Sequence, residues 1–274
     1  MHLHLPPDAP VALMASLSAL GAVVSNLWRE GRRAYLKAES GDGPVFARYS
    51  TDHVDLPVLA HEAEVRRIVG DDGALRTPAV IDAGEDWLIE VQKVGQPVTG
   101  AAGIDSVLAA ADDLARRELP ALEHDGTGAA SALATARRRM NLAFSALPLR
   151  DVARARAIVA DSPLPNVTSH GDLHADNVLM AGGHAWVVDW ELSGMRPAGF
   201  DLMQFWATLP EEGDRSRLWD GAVELVGKRY ERELAELRYA LAVRTIANKL
   251  SPERIHRDLD GARRILALLP ALRT

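Results

Sequence analysis

The stretch HGDLHADNVLM at residues 170–180, followed by WVVDWE at residues 186–191, holds the most informative residues of the chain. NVLM and AWVVDW are short apolar runs, and the segment between them, Ala181 to His184, contains two adjacent glycines. This pattern predicts two strands joined by a tight hairpin. Asn177 begins the first strand and Asp189 ends the second, so we expect both side chains at the same end of the hairpin.

An amide oxygen and a carboxylate held close together form a chelating pair. Oxygen ligands without a thiol suit a hard cation, and Mg²⁺ takes waters and phosphate oxygens as its remaining ligands. The hairpin therefore predicts Mg²⁺ bound by Asn177 and Asp189.

Asp172 lies five residues before Asn177, the D-x-x-x-x-N spacing of kinase catalytic loops, and His170 completes H-x-D. Phosphoryl transfer needs metal ions that offset the charge of a triphosphate. It also needs a carboxylate that orients the attacking hydroxyl and accepts its proton. The segment therefore predicts phosphoryl transfer with Asp172 beside the attacking oxygen.

The same segment allows a second interpretation, a zinc or manganese hydrolase whose ligands alternate along one strand. The four candidate ligands are His170, Asp172, His174 and Asp176. Gly171 and the helix-like LHAD favour a loop over a strand, and a hydrolase site leaves Asn177 and WVVDWE unexplained.

Upstream of this segment, the residues alternate as in strands. AYLKAES and PVFARYS flank Gly41-Asp42-Gly43, which predicts a β-hairpin, and DWLIEVQ at residues 86–92 predicts a further strand. LPVLAHEAEVRRIV at residues 56–69 has the spacing of one amphipathic helix. This part of the chain therefore predicts a small antiparallel sheet with one helix.

After Val94 the composition shifts to alanine, leucine and arginine, which predicts a mainly helical region. This change in composition predicts two lobes, one of residues 1–94 and one of residues 95–274. Helices are predicted at residues 103–122, 129–147 and 150–160, and again near Leu202, Leu218, Glu231 and Ser251, the last with Pro252 at its first position.

The composition excludes several classes of function. The chain has 274 residues, 47% of them hydrophobic, and a net charge of −7, which argues against nucleic-acid binding. It contains no cysteine, which removes disulfides and Cys-ligated metal sites and suits the cytoplasm. We predict no signal peptide and no membrane segment, because the apolar stretch from Val11 to Val24 is too short to span a bilayer.

HGDLHADNVL followed by VVDWE resembles the aminoglycoside phosphotransferase and choline kinase-like superfamily, relatives of the protein kinases. The resemblance implies an α+β, two-lobed protein-kinase-like fold, with a small antiparallel-sheet N-lobe and a larger, mainly helical C-lobe. It implies ATP or GTP as the phosphoryl donor, Asp172 as the catalytic base, and Asn177 and Asp189 as Mg²⁺ ligands. His170 and Asp201 would brace the loops, and Asp201 is also placed to cap a helix starting at Leu202.

In such kinases a cation on the third strand touches the nucleotide phosphates and pairs with a helix glutamate. The resemblance assigns this place to Arg48, where lysine is usual, with Glu62 as its partner and Glu64 as the competing choice. Lys37 is the alternative cation if the strand is misplaced. Arginine keeps the charge but differs in shape from lysine, so the substitution is not neutral.

The strand LIEVQ resembles the hinge between the lobes, where backbone groups from Glu90 to Gln92 would meet adenine. A catalytically inactive, nucleotide-binding pseudokinase is a further possibility, and only the arginine at position 48 favours it. The presence of Asp172, Asn177 and Asp189 together argues against it.

The resemblance leaves the small-molecule acceptor open. An aminoglycoside-like antibiotic or amino sugar is polycationic and would suit Glu211, Glu212 and Asp214. The alternative is choline, ethanolamine or another metabolite alcohol. A quaternary ammonium would need aromatic walls. The candidates are Trp190, Phe200, Phe205 and Trp206, which could equally be core residues.

Overall fold

The strands near the N-terminus form one antiparallel sheet. The computed structural model describes residues 8–30, 33–51, 56–71, 73–120, 149–249 and 259–272. The strands are β1 (Val23–Glu30), β2 (Arg33–Ser40), β3 (Gly43–Ser50), β4 (Leu75–Arg76), β5 (Val80–Ala83) and β6 (Trp87–Val91). All but β4 join a five-stranded sheet in the order β1-β2-β3-β6-β5. Ser40 pairs with Gly43, which confirms the predicted hairpin.

The two faces of this sheet have different neighbours. Ala34, Leu36 and Ala38 alternate along β2 and pack in one buried cluster with helix α1 (Val11–Ala19). The intervening side chains of β2 point to the opposite face, where Tyr35 lines a cleft. The apolar stretch near the N-terminus therefore covers one side of the sheet, and the other side faces the cleft.

Helix α2 (Leu56–Val69) follows β3 and matches the predicted helix. Its Val65 and Val69 are buried in the same hydrophobic cluster as Trp190 and Phe205, far along the chain. Helix α2 therefore packs against the segment around Trp190, which follows the predicted metal ligands in the chain.

The second half is mainly helical, as predicted. Its described helices are α3 (Gly100–Ala115), α4 (Leu149–Ala160), α5 (Phe200–Thr208), α6 (Glu212–Val226), α7 (Glu231–Lys249) and α8 (Leu259–Leu272). The predicted helix at residues 129–147 and the predicted start at Ser251 and Pro252 lie outside the described residues. Among the helices described, none is long and apolar enough to cross a membrane.

In the described part of the second half, five short strands contain, flank or pair with residues 170–191. They are β7 (Gln96–Pro97), β8 (Asn166–Ser169), β9 (Val178–Ala181), β10 (His184–Val187) and β11 (Gly194–Pro197). One sheet has the order β4-β10-β9-β7, and β8 pairs with β11. A strand from before residue 94 thus joins a sheet of the second half. The five-stranded sheet and the helical region give the two-lobed α+β fold that was predicted.

Candidate active site

The hairpin of β9 and β10 places Asn177 and Asp189 at the same end, as predicted. Val178 pairs with Val187, and the Val188 N–H donates to the Asn177 carbonyl oxygen at 3.0 Å. Asn177 belongs to a short 3₁₀ turn directly before β9 and does not begin the strand itself. Its Nδ2 donates to the Asp172 carbonyl oxygen at 3.0 Å, so the amide oxygen is the atom left to bind a cation.

Asp189 has an unusual backbone. Its φ is 67°, the one positive φ recorded for a non-glycine residue in the described part of the chain. This left-handed region costs energy and is found where a side chain must be aimed. Burial would raise the pKa of Asp189, but the positive charges of Arg48 and Arg33 outweigh it and lower the pKa below its ordinary value. The side chain is therefore a carboxylate anion at neutral pH.

Asp201 supports the loop before Asp172 and does not cap its own helix. Helix α5 begins at Phe200, and no side chain caps it. The Asp201 carboxylate instead accepts the N–H groups of His170 at 2.6 Å and of Gly171 at 2.9 Å. The predicted cap at Leu202 is wrong, because these backbone donors of the loop take both carboxylate oxygens.

His170 is fully buried and both ring nitrogens are engaged. Its Nδ1 lies 3.3 Å from the backbone nitrogen of Asp172 and accepts that N–H. Its Nε2 lies 3.0 Å from the Val188 carbonyl oxygen and carries the ring proton. The ring also packs edge-on against Trp190 with centroids 4.7 Å apart. His170 therefore joins the loop to the end of β10.

These contacts exclude the hydrolase interpretation. His170 has no nitrogen left to bind a metal, and Ala175–Asn177 is a 3₁₀ turn and not a strand. Within the described residues, no three His, Cys, Asp or Glu side chains are grouped so that they could hold a metal ion.

Asp172 is partly exposed at the mouth of this loop. Its Oδ1 accepts a hydrogen bond from Gln204 Nε2 at 2.5 Å and lies 3.8 Å from Arg244 Nη2. His174 Nε2 lies 3.7 Å from the other oxygen, Oδ2. Sequence reasoning missed Gln204 and Arg244. The position of Gln204, one helical turn after Asp201, was the available signal.

We expect Gly171→Ala to disrupt this loop. Gly171 has a φ of 81°, and an added Cβ would lie 2.1 Å from the Leu192 carbonyl oxygen. Gly182, in the β9–β10 turn, has a φ of 59° and no atom within 4 Å of such a Cβ. Gly182→Ala should therefore lower the free energy of unfolding only by the left-handed penalty of about 1–2 kcal/mol. Gly171→Ala should lower it by clearly more. Urea unfolding of both variants measures the difference, and equal losses would contradict the clash.

Arg48 connects the sheet to Asp189. Its Nη1 donates to Asp189 Oδ1 at 2.8 Å, and its Nη2 forms an ion pair with Glu62 Oε1. Burial would lower the pKa of Arg48, but Glu62 and Asp189 raise it well above its ordinary value. Glu64 is exposed on the opposite side of the helix, so Glu62 is the partner. Lys37 lies on the neighbouring strand, with Nζ 5.9 Å from the centroid of the Trp28 ring.

A cleft of about 340 Å³ opens between the sheet and the hairpin. Phe46 and Tyr35 line it from the sheet and Leu179 from β9. It is also lined by Lys37, Arg48, Pro78, Glu90, Gln92, Lys93, Asn177, Val188 and Asp189. The predicted cation, metal ligands and hinge residues thus share one cleft.

The backbone of the hinge is partly occupied. The N–H of Val91 donates to Ala79 and that of Gln92 to Pro44, both at 3.0 Å. The Glu90 side chain is buried and forms an ion pair with Arg66. These two N–H groups are therefore engaged within the sheet, whereas the prediction concerned all backbone groups from Glu90 to Gln92.

Glu191 adds a second acid beside Asp189. It forms an ion pair with Arg33 at the start of β2. Burial and the charge of Asp189 raise the pKa of Glu191 to about 7 against the opposing effect of Arg33. Charges of both signs therefore surround Asp189 at one end of the cleft.

The residues predicted to choose the acceptor are mostly engaged elsewhere. Glu212 pairs with Arg215 at 2.6 Å, and Asp214 accepts the Gly100 N–H at 3.1 Å. The four aromatic residues predicted as walls of an ammonium site, Trp190, Phe200, Phe205 and Trp206, are all buried in the hydrophobic core. These four residues therefore belong to the core and do not form the walls of an ammonium site.

Comparison with known proteins identifies the family and the fold. A family model described as the phosphotransferase enzyme family matches residues 29–240. No curated protein sequence matches the chain. The crystal structure of the aminoglycoside phosphotransferase APH(4)-Ia is similar, with 16% identity and a TM-score of 0.63 over 95% of this chain and 97% of that one.

Two further solved structures are similar to the chain. A thermostable mutant of APH(4)-Ia in a ternary complex with ADP and hygromycin B has 15% identity and a TM-score of 0.58, covering 94% of this chain and 96% of that one. An ethanolamine kinase from Plasmodium vivax has 11% identity and a TM-score of 0.58, covering 99% and 86%. At these identities the likeness establishes the protein-kinase-like fold.

Proposed function

The chain belongs to the phosphotransferase enzyme family, and we propose that it transfers the γ-phosphoryl group of ATP or GTP to a hydroxyl of a small molecule. The observation that carries the proposal is the meeting of Arg48, Asn177 and Asp189 in one cleft, with Asp172 on the loop that Asn177 closes. This is the set of charges that phosphoryl transfer requires.

The residues present fit a magnesium ion. Asn177 uses its amide nitrogen within the loop and keeps its oxygen, and the low pKa of Asp189 keeps the second ligand ionised. Oxygen ligands of this kind suit Mg²⁺. When bound, Mg²⁺ would offset negative charge on the phosphate oxygens.

Asp172 would orient the acceptor hydroxyl and take its proton. Because Gln204 already donates to Oδ1, we assign the proton to Oδ2. The Gln204 contact also fixes the direction of the carboxylate, which favours catalysis by positioning. Arg48 would hold the phosphates from the side of the sheet, with Glu62 supporting its guanidinium group.

The base of the nucleotide would lie between Phe46 above and Leu179 below, with Pro78 beside it. Its hydrogen-bond donors would come from residues 93–95, since the preceding N–H groups are used by the sheet. The proposed hinge contacts therefore lie three residues further along the chain than those predicted from the sequence. Glu90 and Gln92 remain as side chains that line the cleft.

For the acceptor we propose an aminoglycoside-like antibiotic or an amino sugar. The net charge of −7 favours a cationic acceptor, and Asp176 in the catalytic loop has a side chain that is 90% exposed. One structural neighbour is a complex with hygromycin B. Another neighbour is an ethanolamine kinase, but the aromatic side chains predicted to surround a choline-like acceptor are buried.

Calorimetry and a panel of acceptors test the proposal together. We expect ATP or GTP to bind only with Mg²⁺, and an aminoglycoside or amino sugar to accept the phosphoryl group, with the product detected by mass spectrometry. Choline and ethanolamine serve as comparison acceptors. The absence of any Mg²⁺-dependent nucleotide binding would contradict the proposed reaction, whereas transfer to choline alone would contradict only the acceptor.

Replacing Phe46 tests the base site separately. Stacking of a base on an aromatic ring contributes about 1–3 kcal/mol, so Phe46→Ala should weaken Mg·ADP binding roughly 10- to 100-fold. Phe46→Tyr keeps the ring and should bind nearly as the wild type. Calorimetry with Mg·ADP distinguishes the two variants. If the alanine variant bound Mg·ADP as tightly as the wild type, the base would have to lie elsewhere.

A further inference from the structure

Along the cleft and just behind it, five buried or half-buried charges alternate in sign. In spatial order they are Glu90, Arg66, Glu62, Arg48 and Asp189. Sequence analysis identified the last three and placed Glu90 in the hinge, whereas Arg66 and its pairing with Glu90 come from the structure alone. The row runs from the end of the cleft proposed for the base to the end proposed for the phosphates.

Glu62 is the centre of this row and is fully buried. One of its oxygens, Oε1, contacts both guanidinium groups, Arg48 through Nη2 and Arg66 at 3.4 Å. The other oxygen, Oε2, is buried with no hydrogen-bond partner among the described residues. Because a single oxygen serves two cations, a stronger pull by one of them weakens the hold on the other.

Arg66 is anchored at the base end of the cleft. Its Nη1 pairs with the Glu90 carboxylate, and its Nη2 donates to the Pro78 carbonyl oxygen at 2.7 Å. Both Glu90 and Pro78 line the cleft. The place of Arg66 is therefore set by the walls that would enclose the base.

We propose that Arg66 and Glu90 are positioning residues for nucleotide binding: Glu90 draws Arg66 away from Glu62, which leaves Glu62 to hold Arg48 toward the phosphates. The inference rests on the proposed function and adds two residues to it. Neither side chain is proposed to touch a reacting atom, so both act through Glu62 and Arg48.

Glu90→Gln removes the anchoring charge with little change of shape. Arg66 would then depend on Glu62 for a negative partner and compete with Arg48 for Oε1. Arg48 would be left closer to its other partner, Asp189, and less available to phosphates. We expect Mg·ADP to bind roughly 10-fold more weakly or worse, as is typical for supporting residues of a site, with KM for the acceptor unchanged.

A second variant tests whether competition for Glu62 causes the loss of affinity. Arg66→Gln combined with Glu90→Gln removes both charges and keeps an amide that can donate to Pro78. With no unpaired buried charge, this pair should regain the unfolding midpoint lost by the single change. Its Mg·ADP affinity should return toward that of the wild type, because no second cation then competes with Arg48 for Glu62 Oε1. Glu64→Gln on the exposed side of the same helix is the matched control.

Calorimetry with Mg·ADP and thermal unfolding of the four proteins decide the matter. The inference is supported if Glu90→Gln, measured below its unfolding midpoint, binds Mg·ADP more weakly than the wild type and the double variant regains affinity. It is overturned if the double variant regains stability and still binds weakly, or if every variant binds as the wild type does. Failure of the wild type to bind Mg·ADP would refute the proposed function first and this inference with it. If the single variant does not fold, weak binding by the double variant would still contradict the inference.

Discussion

Asp172→Ala is expected to lower turnover by about two to four orders of magnitude, the usual contribution of a general base. The side chain is partly exposed, so its removal leaves no large cavity in the core. Its Oδ1 is held by Gln204 at 2.5 Å, and Oδ2 is the oxygen proposed to meet the acceptor hydroxyl. Alanine removes both the proton acceptor and the group that aims the hydroxyl. Nucleotide affinity should change little, because Arg48, Asn177 and Asp189 are intact.

Steady-state kinetics and Mg·ADP calorimetry measure these two effects separately. Asp161→Ala, a change to an exposed acid just after helix α4, is the control for loss of one negative charge in the same lobe. An Asp172→Ala enzyme that turns over as fast as the control would sink the assignment of the base. A variant that loses nucleotide binding as well would show that Asp172 supports the loop and not the chemistry alone.

The parts of the site that sequence could predict are local in the chain. Asn177 and Asp189 are joined by one hairpin, so alternation and two glycines are enough to place them at the same end. Helix α2 also follows from its own periodicity, with the predicted boundaries. Hydrophobic periodicity within one short segment predicts its secondary structure without knowledge of contacts to distant segments.

The parts that sequence could not predict depend on contacts between distant segments. Arg66 and Glu90 are 24 positions apart, and Gln204 reaches Asp172 from 32 positions away. Asp201 looked like a helix cap because capping is the commonest local use of an aspartate before a helix. The buried N–H groups of His170 and Gly171 instead donate to its carboxylate. These donors lie about 30 positions earlier in the chain, so no local sequence pattern indicates the contact.

The aromatic residues show the same limit for the acceptor. A tryptophan beside a catalytic segment can form a wall or a core, and the sequence is identical in both cases. Trp190 is fully buried, and its Nε1 lies 3.1 Å from Thr77 Oγ1 and 3.1 Å from the Val187 carbonyl oxygen. Its packing brings the turn after Asp189 against the segment before β5, so the residue shapes the site without facing a ligand.

Asp189→Asn is expected to weaken Mg²⁺-dependent nucleotide binding by roughly 100-fold or more, beyond the 10- to 100-fold typical of residues that only support a metal ligand. Asparagine tolerates the left-handed backbone that position 189 adopts, so the change removes the charge and leaves the φ of 67° without added strain. Calorimetry with ATP, with Mg²⁺ and with a chelator, gives the magnesium-dependent part. Asp42→Asn in the exposed β2–β3 turn is the matched control.

The variant also tests which of two roles Asp189 has. If it only pairs with Arg48, its loss frees a guanidinium group for the phosphates, and the variant should bind ATP at least as tightly as the wild type under the same conditions. If it is a metal ligand, binding should fall and lose its dependence on Mg²⁺ together. An unchanged dependence on Mg²⁺ would mean that the ion is held without Asp189, and the pairing of Asn177 with Asp189 as ligands would have to be abandoned.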